Sequence, residues 1–401
     1  MRNSGGMGLL LFVLAYWVSS YIALGILVVI LASRLPLDGN AKPQRFITDK
    51  LLFLVLLTYA LLGVFVGGVA GEPVIAAKIY LIPFIAFSVF QGLEYDRRLF
   101  EVVVGGVAIV CTFLSSYMYF QVQPGVFDFS LEFFFGRPRY NGFYFRGDEI
   151  VGPTVIAAVI ATAFVSSLYF VTSGPILVRG IALVLNIYLV FLQVLSGSRT
   201  AIVGSLLAAV VFLHVAYRQR SGAAPKVLGW GGGQRIVLFA FLALIGGLSI
   251  NYALEYSPGA LYRFGALFGG EIDSSLLTRF LLWRQALDFA DENLLGSGPS
   301  YFLEKTGLTT HNEFLGILVA TGIMGLVLYL LFFAILFVGL IRGGCSVKPA
   351  IRAYFLSFLV VVLMVSMTEN YSRSSVVIFN PLVWCVIGMM ASVYGRSRIR
   401  V

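Results

Sequence analysis

Charged residues are scarce in this chain, and long hydrophobic runs take their place. Only 12% of the 401 residues are charged and 59% are hydrophobic, against about 25% and roughly 45–50% in an ordinary soluble domain. Apolar runs recur from end to end, and each has the roughly 20 residues that a helix needs to cross a hydrocarbon core. This composition excludes a soluble globular protein and predicts an integral membrane protein without a separate soluble domain.

Cysteine and histidine are also rare, with three and two copies. Cys111 and Cys385 fall within predicted spans and Cys345 lies on the predicted cytoplasmic side, so the cysteines predict neither an extracytoplasmic disulfide nor a metal site. The outer carboxylates, Asp148 and Glu149 among them, form no metal-ligand cluster with a histidine in the sequence. We therefore expect no metal ion and no cofactor.

The apolar runs predict an all-α membrane protein, with residues 1–401 as a single polytopic domain of about eleven (10–12) helices. Runs this long do not alternate as the wall of a transmembrane barrel must. The predicted spans are Leu9–Ser33, Leu51–Val69, Val74–Gly92, Val102–Gln121, Ile150–Thr172, Pro175–Leu195, Ala201–Tyr217, Ile236–Leu254, Glu313–Ile341, Ala353–Thr368 and Val376–Tyr394.

The net charge of +9 is explained by membrane topology. Most lysines and arginines fall in the short loops of one side, such as those around Arg97, Lys226 and Arg352, and such loops are cytoplasmic. There the basic side chains anchor the orientation or contact lipid headgroups. The charge therefore indicates membrane lipids, and no nucleic acid, as partners, and it predicts that these loops face the cytoplasm.

Two segments on the opposite side are much longer than the other loops, namely 122–149 and 255–310. Long connections of this kind are often lids or binding loops. They also carry most of the arginines that depart from the positive-inside bias, which are Arg137, Arg139, Arg146, Arg263, Arg279 and Arg284. We therefore expect the functional site on this outer side.

Two arginines there are candidates for binding an anion. Arg199 lies in the polar junction Ser196-Gly197-Ser198-Arg199-Thr200 at the outer end of a helix, where an arginine either snorkels to the interface or meets an anion. Arg279 lies on a predicted helix, Ser274–Glu292, and shares a face with Trp283 four residues on. No carboxylate stands three or four residues from Arg279, so its guanidinium is expected to be available to a ligand.

His311 lies at the start of a predicted membrane helix, within Thr310-His311-Asn312-Glu313. Thr310 and Glu313 have the spacing of a capping box, which would put His311 in the first turn. There the helix dipole would help to keep the imidazole neutral and able to accept a proton. The other histidine, His214, has no polar cluster around it and is interpreted as structural.

Glycines mark the two ends of this region. Gly296-Ser297-Gly298-Pro299 predicts a turn after the Arg279 helix. The glycines Gly316, Gly322 and Gly325 are interpreted as positions where the membrane helix packs closely.

Four of these elements occur in an order that resembles a known family, the O-antigen polymerase and ligase superfamily. They are Ser198-Arg199-Thr200-Ala201, the Arg279–Trp283 helix, the turn Leu294-Leu295-Gly296-Ser297-Gly298-Pro299, and His311-Asn312 followed after nine residues by Gly322 and then Gly325. The resemblance covers a core of about 185–339, including the 255–310 loop. The segment Arg139-Tyr140-Asn141-Gly142-Phe143 is similar to an Arg-and-Gly element of some members.

The resemblance implies a GT-C-like membrane glycosyltransferase that acts at the periplasmic face on a glycan carried by undecaprenyl diphosphate. Residues at the positions of Arg199 and Arg279 would hold the diphosphate, and His311 would activate the acceptor hydroxyl for an inverting attack, without a metal. Arg139, Tyr140, Trp283 and Asn312 are candidates for glycan or acceptor contacts, although Tyr140 is also explained as an interfacial anchor. A chain-length regulator and a flippase are the candidate protein partners.

Three functions remain open at this point. A polymerase of O-antigen or exopolysaccharide repeats is favoured by the short spacing from Arg279 to His311 and by Glu313-Phe314-Leu315 after His-Asn. A ligase that transfers the glycan to lipid A core, in lipopolysaccharide biosynthesis, is the first alternative. A transporter of lipid-linked oligosaccharides is the second, with Glu369 as its best candidate coupling residue, although repeated halves are missing from the sequence.

Overall fold

The computed structural model describes residues 50–91, 97–123, 126–128, 143–145, 149–196, 198–218, 274–342, 348–369 and 379–397. The helices in these ranges are α1 (Lys50–Val69), α2 (Pro73–Gln91, with a π-helical turn at Ala77–Leu81), α3 (Arg97–Phe120), α4 (Pro153–Ser173), α5 (Ile176–Ser196), α6 (Arg199–Arg218), α7 (Ser274–Glu292), α8 (Tyr301–Thr306), α9 (Glu313–Arg342), α10 (Pro349–Ser366) and α11 (Phe379–Ser397).

Seven of the described helices are long and apolar enough to cross a membrane: α1, α2, α3, α4, α5, α9 and α10. Two more, α6 and α11, contain shorter apolar stretches at Thr200–Ala216 and Leu382–Val393. The predicted multi-pass helical membrane protein is therefore confirmed, whereas the count of eleven stays a prediction. The spans predicted at Leu9–Ser33 and Ile236–Leu254 lie outside the described residues.

Short strands occur between α3 and α4, where the sequence predicted only a loop. Strands β1 (Gln121–Gln123) and β2 (Val126–Phe127) pair antiparallel, and so do β3 (Phe143–Phe145) and β4 (Glu149–Val151). In the second pair Phe143 lies opposite Val151. The strands are too short to span a membrane, so they are additions to a fold whose class remains helical.

The described chain divides into two compact units. One takes its residues from Met1–Gly106, Thr278–Val347 and Ser366–Val401, and the other from Val107–Leu277 and Lys348–Val365. The first unit contains α1, α2, α8, α9 and α11 with most of α7. The second contains α4, α5, α6 and most of α10.

The first unit is held together by aromatic side chains around α9. Phe332 of α9 packs against Phe87 of α2 (ring centroids 5.4 Å apart) and Trp384 of α11 (5.6 Å). Tyr329, one turn earlier, packs against Tyr59 of α1 at 5.6 Å. Such ring pairs add to the packing that drives helix association within a membrane, where burial from water cannot. They fix the helix that begins beside His311.

The second unit is joined by hydrogen bonds between its helices. Asn186 of α5 donates from Nδ2 to the Ser167 hydroxyl of α4 at 3.0 Å. Ser357 of α10 donates from Oγ to the carbonyl of Ala208 in α6 at 2.8 Å. Polar side chains of this kind are common links between membrane helices.

Helix α9 is broken at Gly322, which has φ 69° and ψ −172°. A positive φ favours glycine because it lacks a Cβ, and a Cβ here would also collide with the Leu294 carbonyl oxygen. Gly322 is therefore a position of close packing, as predicted, but it packs against the turn at Leu294 and interrupts the helix instead of continuing it. The break leaves backbone groups of α9 without helical partners, and in a membrane such groups need other partners.

The turn after α7 supplies those partners. Its glycines, Gly296 and Gly298, have φ of 95° and 101°, which lets the turn lie directly against the break. The backbone hydrogen bonds run from Ser297 N–H to the Val319 carbonyl (2.9 Å), from Gly298 N–H to the Ala320 carbonyl (3.1 Å) and from Ile323 N–H to the Leu294 carbonyl (3.1 Å). The predicted turn is confirmed, and it fastens α7 to the first part of α9.

Candidate functional site

The start of α9 is capped by Asn312. Its Oδ1 accepts a hydrogen bond from the backbone N–H of Leu315 at 3.1 Å, which is the N-cap interaction with the third helical residue. The Thr310 hydroxyl instead donates to the Asn312 carbonyl at 2.9 Å. The predicted capping box of Thr310 and Glu313 is therefore wrong, because asparagine caps at least as well as threonine and lies directly before the helix. The predicted contact of Asn312 with the acceptor glycan stays a prediction, in addition to this structural role.

Glu313 does not cap the helix, and its carboxylate is fully buried. Its Oε1 accepts a hydrogen bond from the Tyr329 hydroxyl at 2.9 Å, and its Oε2 accepts one from the Ser366 hydroxyl at 2.7 Å. A buried carboxylate is tolerated only when such donors replace water. Because Ser366 is the last residue of α10, Glu313 ties the end of α10 to the start of α9.

His311 lies before the cap and outside the helix. Among the described residues, it alone of the non-glycine residues has a positive φ, of 46°. The prediction that it occupies the first turn is wrong, because the helix begins two residues later. Left-handed backbone conformations are uncommon for residues other than glycine and occur more often at functional sites. The conformation directs the His311 side chain toward a different segment of the chain.

That segment is the residue run after α10, where Glu369 faces the imidazole. The His311 Nδ1 lies 3.1 Å from Glu369 Oε1 and 3.2 Å from Oε2. A carboxylate accepts but does not donate, so the contact is satisfied by an Nδ1–H donated from the ring. In the neutral ring, this leaves Nε2 without a proton and able to accept one. The charged group that contacts the ring is therefore the Glu369 carboxylate, whereas the sequence indicated only the dipole of α9.

Arg279 reaches the same carboxylate from α7. Its Nη2 lies 3.5 Å from Glu369 Oε1, and the side chains of Arg279, Glu369 and His311 are 20%, 12% and 32% exposed. The expectation that Arg279 lacks a carboxylate partner is therefore wrong. The partner comes from 90 positions further along the chain, beyond the reach of a helix-spacing argument, and Glu369 is the site residue whose role was missed.

Helix α7 itself was predicted with its observed bounds, and apolar packing holds it in place. Leu282 and Ala286 are buried in a cluster with Phe302 of α8 and Val319 of α9. Arg279 lies one turn before Leu282 on this helix, at the edge of the cluster. The packing therefore sets the position of the guanidinium relative to the start of α9.

Trp283 lies one turn beyond Arg279, and the ring of Phe280 meets it edge-on at 5.5 Å. Its indole Nε1 is buried and has no hydrogen-bond partner among the described residues. A buried indole N–H usually has an acceptor. The glycan contact predicted for Trp283 stays a prediction.

The remaining predicted site residues are described only in part. Arg199 is the first residue of α6, and nothing is described of its side chain. The serines around it interact locally: the Ser196 hydroxyl donates to the Gln193 carbonyl at 2.7 Å and accepts the Ser198 N–H at 3.4 Å. Arg139 and Tyr140 lie outside the described residues.

The described cluster therefore consists of a histidine, a carboxylate and an arginine from three separate segments. A carboxylate that holds one ring nitrogen of a histidine orients the other for proton transfer. A neighbouring guanidinium offers donors suited to phosphate oxygens. In the part of the chain that the structure describes, no three side chains of His, Cys, Asp and Glu converge to hold a metal ion.

Comparisons with known proteins found a family model and a solved structure that are similar to this chain over part of its length. Residues 181–330 match the family model described as O-Antigen ligase, which confirms the predicted resemblance to the O-antigen polymerase and ligase superfamily. A solved chain from work described as "Structural coordination of polymerization and crosslinking by a peptidoglycan synthase complex" is 14% identical, with a TM-score of 0.46, over 87% of this chain and 98% of that chain. No curated protein matches the sequence.

Proposed function

We propose that this chain, a relative of the O-antigen polymerases and ligases, is an inverting glycosyltransferase of the periplasmic face of the bacterial inner membrane. It transfers a glycan from undecaprenyl diphosphate to a hydroxyl of an acceptor glycan. The contact of His311 Nδ1 with the Glu369 carboxylate is the observation that carries the proposal. It gives the chain an oriented general base beside a cation, which a transfer of this kind needs.

His311 acts as the general base. The acceptor hydroxyl attacks the anomeric carbon of the donor sugar, and its proton passes to Nε2 of the ring. The new bond joins the acceptor oxygen to the anomeric carbon, while the bond from that carbon to the diphosphate oxygen breaks. Attack from the side opposite the leaving group inverts the anomeric configuration.

Arg279 and Arg199 hold the diphosphate. The electron pair of the broken bond stays on the leaving phosphate, so negative charge grows there in the transition state and fixed cations stabilise it. The position of Arg279 next to the His311 site supports its role, while that of Arg199 rests on the family resemblance and its polar junction. Two arginines can supply the charge that Mg²⁺ supplies in other enzymes, so transfer is proposed to be metal-independent.

The acceptor decides between polymerase and ligase. We favour the polymerase of O-antigen or exopolysaccharide repeats, on the spacing from Arg279 to His311, with the ligase to lipid A core as the second candidate. Trp283 and Asn312 are proposed to contact the glycan. A flippase and a chain-length regulator are the proposed protein partners.

The test uses the purified protein in nanodiscs with EDTA and one defined undecaprenyl-diphosphate oligosaccharide. We expect a ladder of repeat units by mass spectrometry. Transfer that appears only after lipid A core is added identifies the ligase. The absence of transfer in both settings, and after Mg²⁺ is restored, overturns the transferase and leaves the transporter, for which the same lipid would be translocated across proteoliposomes.

A further inference from the structure

The Glu369 carboxylate contacts two groups for which the proposed reaction has different uses. Both of its oxygens lie within 3.2 Å of the His311 Nδ1, and one of them, Oε1, also lies 3.5 Å from Arg279 Nη2. The base and the phosphate-binding cation therefore share one carboxylate. In this arrangement Glu369 occupies a place at the guanidinium that a phosphate oxygen of the donor would take.

A diphosphate can displace the carboxylate from Arg279. It carries more negative charge than one carboxylate, and its oxygens can accept two parallel N–H donors of the guanidinium. The existing contact is long, at 3.5 Å between Nη2 and Oε1, and is therefore weaker than the short, bidentate contact that a phosphate group can make. Donor binding would then break the contact of Arg279 with Glu369.

The contact of Glu369 with His311 would survive that exchange, because a second link holds the two segments together. The Ser366 hydroxyl, three residues before Glu369, donates to the buried Glu313 carboxylate at 2.7 Å. Glu313 lies two residues after His311 and is also held by Tyr329. These two hydrogen bonds to Glu313 form a bracket that keeps the end of α10 at the start of α9, whether or not Arg279 contacts Glu369.

We propose that Glu369 is a positioning residue that neutralises Arg279 before the donor binds, and that the donor diphosphate releases it to serve His311 alone. Donor binding and orientation of the base are thereby coupled through one carboxylate. The inference rests on the proposed function, since it assigns the diphosphate to Arg279 and the base to His311. It adds that Glu369 weakens donor binding while it accelerates transfer.

The test is Glu369→Gln, measured in nanodiscs with farnesyl diphosphate as a binding probe and with the defined undecaprenyl-diphosphate oligosaccharide as substrate. Removing the competing charge is expected to tighten probe binding about threefold to fivefold. Loss of the carboxylate at His311 is expected to lower kcat at least tenfold. A residue with a merely structural role would not improve binding while it lowers turnover.

Two controls isolate the exchange. Glu292→Gln removes an exposed carboxylate from the same helix as Arg279 and should change neither quantity. In an Arg279→Ala background, Glu369→Gln should no longer alter probe affinity, because its competitor acts through that arginine. Glu369→Asp keeps the charge on a shorter stem and should give values between those of the native protein and Glu369→Gln. It provides the same comparison if the glutamine variant does not fold.

Unchanged or weaker probe binding in both Glu369 variants overturns the inference. The proposed function fails in a different way, since His311→Ala would then leave transfer intact. If His311→Ala abolishes transfer while Glu369→Gln binds the probe no more tightly, only the shared-carboxylate inference is lost.

Discussion

Helices α6 and α9 both begin at short polar junctions, but the polar side chains at the two junctions find their partners at different distances along the chain. At the start of α6, Ser196 bonds to Gln193, and the Gln193 amide bonds to the Ala201 carbonyl and the Ser205 hydroxyl at 2.8 Å. All of these partners lie within 12 positions. The described polar side chains of this junction are therefore hydrogen-bonded locally.

At the start of α9, His311 and Glu313 have partners that are distant in the sequence. His311 meets Glu369, which is 58 positions later, and Glu313 meets Ser366, which is 53 positions later. Arg279, the second described partner of Glu369, lies on a third segment, α7. The comparison shows that polar side chains at the start of a membrane helix can be bonded within their own segment, as at α6, or to segments that are distant in the sequence, as at α9.

Substitution of His311 is expected to give the largest effect. His311→Ala should lower glycan transfer by about 10²–10⁴-fold, since a general base contributes this much, while binding of farnesyl diphosphate persists. His214→Ala, at the other histidine and on the exposed side of α6, is the matched control. Equal loss in both variants, or transfer that survives in His311→Ala, would break the distinction between the two junctions.

Substitution of Arg279 is expected to give the second-largest effect. Arg279→Ala should weaken diphosphate binding and transfer by about 10- to 100-fold, the range for a lost hydrogen bond to a charged group. The neighbouring exposed Arg284 provides the control, because Arg284→Ala removes the same charge from the same helix. Titration with farnesyl diphosphate distinguishes them, and equal affinities in the two variants would remove Arg279 from the site.

The same measurement on Arg199 sharpens the comparison. If the α6 junction contributes a phosphate-binding cation, Arg199→Ala should weaken farnesyl diphosphate binding to a similar extent, about 10-fold or more. Native affinity in this variant would mean that the α6 junction is only a membrane anchor.

The bracket at Glu313 predicts a moderate effect. Ser366→Ala leaves one oxygen of a buried carboxylate without its donor and should cost about 1–3 kcal/mol of stability. It should also lower transfer several-fold, because Glu369 follows on the same segment. Ser357→Ala, in the same helix with a buried hydroxyl bonded to a backbone carbonyl, should destabilise the protein with transfer unchanged. Thermal unfolding and transfer are measured on both variants, and parallel losses of transfer would contradict the bracket.

The helix cap should give the smallest effect. Asn312→Ala removes the bond to the Leu315 N–H and should cost about 1 kcal/mol. Ser198→Ala precedes α6 at the equivalent position, but the described contacts of Ser198 involve its backbone, so a smaller cost is expected. A larger loss of thermal stability in Ser198→Ala would reverse this part of the comparison.

Much of the site was predictable from the sequence in its parts but not in its assembly. His311 and Arg279 stood out because charged and titratable residues are rare in an apolar chain, and α7 was delimited by its composition. Glu369 was noticed only as an ionisable residue near a helix end. Its contacts with His311 and Arg279 depend on the approach of α7, α9 and the end of α10, which no local spacing encodes.

The sequence by itself determined the membrane class, the helices in the described ranges and the resemblance to the O-antigen polymerase and ligase superfamily, because each rests on composition or on motifs along the chain. Only the tertiary structure decided the roles of Asn312 and Glu313, the break at Gly322 and the left-handed conformation of His311. The physical reason is competition: a buried polar group takes the best partner within reach in space. The Ser366 donor of Glu313 and both described partners of Glu369, His311 and Arg279, lie more than 50 positions away.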